Sequence, residues 1–491
     1  MLFNSPEFLF LFLPVAAAGY FVLGARGAAA ARLWLVAASL VFYGWWNPAY
    51  LPLLLLSLAA NYGCGEWLAR TRERRLLTLW LGLGFNLALL GYYKYAAFAV
   101  RTADAWLGEA WPVPHVVLPL GISFFTFLQI TYLVDLYRRE PVDREPGGYA
   151  LFVTFFPHLL AGPIIHHREM MPQFAKRETY RFSAADFSVG LALFTLGLAK
   201  KVLIADGLAK YANQVFGAVA TAAPGVGIAP ATLWFGALAY TFQLYFDFSG
   251  YSDMAIGLAR MFGIRFPENF DSPYKARSLV DFWRRWHMTL SRLLRDYVYI
   301  PLGGNRRGPF RRGANLLATM LLAGLWHGAG WTYVVWGGVH GVGLLANHAW
   351  DDAAKQRAWL GSRPMRIAGW AATFLFVVAA WVVFRAADLP AALRMLHGMF
   401  LWQATPGPDI GMGFRARHWL NLPLLLAIVL FCPNTREILA RYAPVLRSPA
   451  PGPRRGWQWA PTAAWGAVLA ALFAYAVLSL GDTREFLYYQ F

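Results

Sequence analysis

The feature that most constrains this chain is a succession of apolar windows, each close to the length of a helix that crosses a bilayer. A hydrocarbon core of about 30 Å takes about 20 helical residues. Windows of this kind fall near residues 8–24, 31–46, 50–67, 76–95, 116–137, 187–203, 231–260, 313–326, 331–350, 369–384, 420–431 and 462–480. Several are short, so the pattern predicts about eleven or twelve crossings. Only 14% of residues are charged and 58% are hydrophobic, whereas soluble domains carry about 25% charged residues. A soluble globule has no interior large enough for 22 Trp and 37 Phe. These features exclude a soluble enzyme, a disordered chain and a secreted disulfide scaffold. The expected fold class is an all-α polytopic membrane protein, one integral domain over 1–491. It is read as N-terminal helices over 1–140, a motif-bearing core over 141–350 and C-terminal helices over 351–491.

The formal net charge of +18 is spread over short basic clusters between apolar runs. That distribution describes loops of a membrane protein and not a nucleic-acid-binding face. Arg26 and Arg32 follow the first window. Arg70, Arg72, Arg74 and Arg75 follow the third, and Arg138 and Arg139 the fifth. Arg436, Arg441, Arg447, Arg454 and Arg455 precede the last. With the N-terminus outside, all these clusters face the cytoplasm and both termini are external. Lys200–Lys201 fits this scheme worst, near the outer end of its window. The first segment carries Glu7 and lacks a basic n-region, so it reads as a retained helix and not a cleaved signal. Cys64 and Cys432 sit alone in apolar stretches, in no disulfide or zinc pattern.

Two stretches read as neither a plain span nor a loop. In FVTFFPHLLAGPIIHH, residues 152–167, Pro157, Gly162 and Pro163 interrupt an apolar run. Such backbone is tolerated at membrane depth only when buried in protein or lining a cavity, which predicts a re-entrant element. In SLVDFWRRWHMTLSRLLRDYVYI, residues 278–300, Ser278 and Asp281 have capping-box spacing. Phe282, Trp283, Trp286, Leu290, Leu293, Leu294 and Tyr297 form an apolar face, and Arg284, Arg285, Arg292 and Arg295 a basic one. This pattern predicts one amphipathic helix at the cytoplasmic interface, touching membrane lipids.

Ionisable residues in apolar segments are costly and mark candidate sites. His327, in GLWHGAGW, ends an apolar run of about 14 residues, which at about 1.5 Å each reaches the middle or outer half of the membrane. Gly324, Gly328 and Gly330 then open the backbone. Histidine exchanges protons near neutral pH, so this is a catalytic candidate; the alternative is a buried His held by a carbonyl, with the glycines serving helix packing. His287 lies in helical register with Trp283, Leu290 and Leu294, either turned toward a substrate or held as a core histidine. His166–His167 lacks ligand spacing for a metal, and His158, His340 and His348 read as structural. In TFQLYFDFSGYSDMAIGLA, Asp247 and Asp253 either orient a histidine or a donor, or form a structural ion network. IPLGGNRRG, with Asn305, Arg306 and Arg307, either binds donor phosphates or meets lipid headgroups.

Three segments carry a family resemblance: FDFSGYSDMAIGLARMFGI, PENFDSPYKARSLVDFWRRWHMTLSRLLRDYVYIPLGGNRRG and NLLATMLLAGLWHGAGWTYVVWGGVHG. Together they resemble the membrane-bound O-acyltransferase (MBOAT) family, in its AlgI-like branch. MLFNSPEFLFLFLPV, YGWWNPAYL and the closing EFLYYQF are similar to that branch as well, so the resemblance covers essentially the whole chain. It implies helices around a central tunnel, His327 as the central catalytic histidine and His287 as the second. Trp326, Asp247, Asp253, Asn305 and Arg306 are then candidate substrate contacts. The resemblance further implies acetyl-CoA as donor, with no bound cofactor or metal. It implies a periplasmic SGNH-hydrolase-like acetyltransferase as partner, beside the exopolysaccharide synthesis machinery of a bacterial inner membrane. The competing readings are D-alanyl transfer to teichoic acid and a transporter or flippase.

Overall fold

The computed structural model describes residues 1–71, 73–221, 227–354, 362–401, 416–446, 457–481 and 487. Arg72, Arg447, Arg454, Arg455 and all of EFLYYQF except Leu487 lie outside the described residues. No strand occurs among them. The helices are α1 (Leu13–Arg26), α2 (Ala28–Gly44), α3 (Leu51–Arg70), α4 (Arg75–Leu90), α5 (Ala96–Leu107), α6 (Ile122–Tyr137), α7 (Pro146–Thr154), α8 (Phe156–Leu159), α9 (His167–Phe174) and α10 (Ala184–Ala199). They continue as α11 (Asp206–Thr221), α12 (Pro230–Met261), α13 (Leu279–Arg285), α14 (Met288–Leu294), α15 (Gly308–His327), α16 (Trp331–Ala354), α17 (Arg363–Arg385), α18 (Leu389–Phe400), α19 (Ala416–Phe431), α20 (Thr435–Leu439) and α21 (Ala463–Leu478). Among the described residues, four helical stretches are long and apolar enough to cross a membrane: 8–26, 75–107, 184–221 and 363–385. The bent pair Trp419–Phe431 and Thr435–Tyr442 makes a fifth, and α2, α6 and α21 are shorter apolar helices. The window count is higher because several windows fold into helices under 18 residues, and because buried polar groups lower the hydropathy of α12.

The chain divides into two compact units. Unit 1 comprises 1–198, 251–268 and 435–489. Its core is aromatic, with Phe156 packed edge-on to Phe12 at 5.2 Å and tilted to Phe42 at 5.5 Å. The predicted re-entrant element is here, and every residue from 151 to 167 is buried. The break lies at Phe155, whose ψ of 112° is not helical; Pro157 stands in the first turn of α8, where a missing N–H costs nothing. The N–H of Phe156 donates to Ser39 Oγ at 3.1 Å, and that hydroxyl donates to Leu35 O at 2.7 Å. A side chain of α2 thus satisfies the interrupted backbone. Arg75, from a basic loop cluster, donates to Leu68 O, Leu136 O and Tyr137 O, closing the carbonyl ends of α3 and α6.

Unit 2 comprises 199–250, 269–434 and 490–491. Its tightest feature is the α15–α16 hairpin. A Cβ on Gly324 would stand 2.1 Å from Tyr333 O, and one on Gly337 2.2 Å from Met320 O. Gly324 therefore does not open the helix, as the sequence reading has it. It stays inside α15 and lets two backbones meet, which is how helices associate without a hydrophobic drive between them. The helix ends instead at His327, and Gly328 is extended.

The segment 278–300 departs from expectation. It is not one helix. Ser278 Oγ accepts from Asp281 N at 3.1 Å, so the start is as predicted. However, α13 stops at Arg285 and His287 takes a left-handed conformation (φ 44°) before α14 begins. Phe282, Trp286, Leu290, Leu293 and Leu294 are still buried and Arg284 and Arg295 exposed, so amphipathicity survives the kink. His287 does not continue the register of Trp283.

Gly337→Ala is expected to destabilise the fold by about 1–3 kcal/mol through overpacking. Gly338→Ala, whose Cβ would meet only a Leu321 side-chain atom at 3.5 Å, should be neutral or slightly stabilising. Thermal melting of both variants in one detergent checks the contrast.

Candidate active site

The two histidines singled out in the sequence meet in unit 2. His287 comes from the α13–α14 kink and His327 from the last position of α15. Their ring centroids are 6.3 Å apart, and they are 0% and 5% exposed. Trp326, Trp336 and Phe384 surround His327 at 4.9, 5.2 and 5.4 Å. Phe248 stands edge-on to His287 at 4.8 Å. This shell gives the imidazoles a dry setting, in which electrostatic interactions are strong.

The left-handed backbone at His287 is uncommon for a residue with a Cβ. Asn269 holds it. Its Oδ1 accepts from His287 Nδ1 at 3.1 Å, from Thr289 Oγ1 at 2.9 Å and from Thr289 N at 3.4 Å, while its backbone O accepts from Met288 N at 3.0 Å. Burial pushes the His287 imidazole down to about 3. The ring is neutral, Nδ1 carries the proton, and Nε2 is therefore the acceptor.

The remaining predicted site residues divide. Trp326 joins the histidines, 5.9 Å from His287. Asp247 precedes Phe248 on α12 and pairs with Lys201 Nζ at 2.7 Å; the same ammonium meets Asp206 at 2.6 Å. Both Lys201 and Asp247 are buried. The lysine that fits the charge pattern worst is thus the counter-ion of a buried carboxylate, held in a π-helical turn at Lys200–Ala205. Asp253 belongs to unit 1, where its carboxylate accepts from Thr435 Oγ1 at 2.7 Å. Asn305 and Arg306 are exposed on a loop shaped by Gly303, Gly304 and Gly308, all at positive φ. Of the histidines read as structural, His340 accepts from Trp283 Nε1 at 3.3 Å and packs on Trp336 at 4.8 Å. In unit 1, His167 pairs with Asp135 at 2.9 Å.

Asn269, Trp336, Phe384 and Lys201 were not read as site residues. Asn269 lies in a loop, where no periodicity marks it. Trp336 and Phe384 are single aromatics among many. Only Lys201 left a sequence signal, as a cation out of place.

The family model of the membrane-bound O-acyltransferases matches residues 92–386, a stretch that holds His287, His327 and their whole aromatic shell. The chain belongs to the MBOAT family. It is accordingly a membrane-embedded O-acyltransferase, which removes the transporter reading. This MBOAT chain is 39% identical to a probable alginate O-acetylase of Pseudomonas aeruginosa over 100% of both chains. It is 43% identical to a peptidoglycan O-acetyltransferase of Helicobacter pylori over 81% of this chain and 80% of that one. A teichoic acid D-alanyltransferase of Bacillus subtilis is 29% identical over 60% of this chain and 78% of its own.

Lys201→Met should leave the Asp247 carboxylate buried without its ammonium and cost about 3–5 kcal/mol. Lys201→Met with Asp247→Leu should recover a large part of that loss. Melting temperatures of the single and double variants, measured side by side, check the pairing.

Proposed function

We propose that this MBOAT chain O-acetylates an exported polysaccharide from within a bacterial inner membrane, moving acetyl from a cytoplasmic donor, acetyl-CoA, toward the outer face. The observation that carries the reading is the enclosed His287–His327 pair. Relatives named for alginate and peptidoglycan O-acetylation support a glycan hydroxyl as the final acceptor. The distribution of arginines supports periplasmic termini. A tunnel through the core, a periplasmic SGNH-hydrolase-like acetyltransferase and the polysaccharide machinery complete the proposal.

In the reaction the acceptor oxygen attacks the acetyl carbonyl carbon and the carbon–sulfur bond breaks. His327 acts as general base, taking the hydroxyl proton as the C–O bond forms and passing it to the departing thiolate. Alternatively its nitrogen carries the acetyl between donor and acceptor. Neutral His287, its proton fixed toward Asn269, presents Nε2 as an acceptor that orients a reacting hydroxyl or thiol. Asp247, Asn305, Arg306 and Trp326 are proposed substrate contacts. Trp326 borders the histidines directly, and the exposed Arg306 suits donor phosphates.

In a host that supplies the neighbouring genes, His327→Ala at equal membrane levels should lower ester-linked acetyl on the exported polymer by about 10²-fold or more. Proton NMR of the polymer reads this, and unchanged acetylation would sink the assignment. The likeness to a D-alanyltransferase supports a second reading. Release of D-alanine in place of acetate by mild alkali would establish it.

A further inference from the structure

Unit 2 has a groove of about 1170 Å³ that neither catalytic histidine lines. It follows α16 from Trp331 to Asp351, with α17 as its other wall. Val335, Val339 and Val342 of α16 and Ala368, Ala372 and Phe376 of α17 line it. The volume exceeds the roughly 300–1,000 Å³ of pockets for compact small molecules. Trp331 and Trp350 are exposed at its two ends. The helix between them spans about 28 Å at about 1.5 Å per residue, close to the thickness of a hydrocarbon core of about 30 Å. Tryptophans at this spacing are characteristic of membrane interfaces.

One end of the groove is polar, lined by Arg277, Arg366, Asn347 and Asp351. The Asp351 carboxylate is occupied, accepting from Asn347 Nδ2 at 3.0 Å, and Asn347 Oδ1 accepts from Val280 N at 3.2 Å. Among the described residues no carboxylate pairs with the Arg277 or Arg366 side chain, and both arginines are exposed. Two available guanidiniums at the mouth of an apolar groove complement an amphiphile with an anionic head. The floor belongs to the packing behind the catalytic shell. Gly343 lets Leu279 and Phe376 close in, each 2.7 Å from where its Cβ would stand, and the Phe376 ring lies 5.3 Å from His340.

We infer that this groove holds a resident glycerophospholipid with an anionic headgroup. Its phosphate sits on Arg277 and Arg366, and its acyl chains lie between α16 and α17 over about 15 Å, half a hydrocarbon core. The lipid fills the space behind His340 and the walls that support His327. This inference does not depend on which acyl group the enzyme transfers.

Native mass spectrometry of the purified full chain, with phosphatidylglycerol or phosphatidylcholine of identical chains added, tests it. The wild type should retain phosphatidylglycerol about tenfold better. Arg277→Gln with Arg366→Gln should erase that preference, and Ala372→Trp should lower retention of both lipids. Should Ala372→Trp fail to fold by gel filtration and melting, the arginine pair still decides. Equal retention of the two lipids by the wild type would overturn the inference, as would a preference that survives loss of both arginines. Disulfide cross-linking of Ala346→Cys to a second copy in native membranes would also overturn it, by placing protein over the groove.

Discussion

Contact between the backbones of α15 and α16, made possible by Gly324 and Gly337, is the interaction on which the arrangement of unit 2 rests. Hydrocarbon does not squeeze apolar helices together as water does, so two helices hold firmly only where their surfaces fit closely. Here the fit reaches the main chain. It fixes the hairpin that ends at His327 and returns with Trp336 and His340 on the facing helix. Trp381 stacks on Trp336 at 5.6 Å and Phe384 covers His327, so α17 completes the same wall. A displacement of either helix would move the histidine and its shell together.

Within each unit, an interior poor in water imposes a second requirement, that every interrupted backbone and buried charge find a partner. In unit 1, Ser39 serves the N–H freed at the Phe155 break, and Asp135 serves His167. In unit 2, Asn269 uses one carbonyl oxygen to hold three donors around the kink, and Lys201 neutralises Asp247. These contacts set local geometry as well as satisfying buried groups. The bonds to Asn269 keep His287 in a conformation that costs energy, and they decide which of its nitrogens carries the proton. The geometry of the histidine pair thus depends on a residue outside it, Asn269.

The groove along α16 extends the same logic outward. Its floor is the back of the aromatic wall, made by Leu279 and Phe376 where Gly343 leaves room. A bound lipid there is a packing element as much as a ligand. The site is thus layered, with imidazoles innermost, aromatic rings around them, and bilayer components against the rings.

The sequence by itself determined the solvent and the fold class, and it singled out the two histidines that the fold brings together. Apolar windows about 20 residues long have one stable solution in lipid, and a histidine beside glycines in such a window is conspicuous because burying it is costly. The Ser278 cap and the buried break near residue 157 were legible for the same reason, since capping and helix interruption are local events. Tertiary structure decided the rest. The kink at His287 was hidden because the amphipathic pattern of 278–300 continues across it, while the left-handed residue is held by Asn269, 18 positions earlier in the chain. Gly324 read as a break and proved to be a contact, because a glycine has the same sequence signature in both roles. Asp247 and Lys201 were each visible as misplaced charges, but their pairing depends on the approach of two helices. Apolar periodicity shows which faces are buried, whereas the partner each face meets is set by packing across the chain.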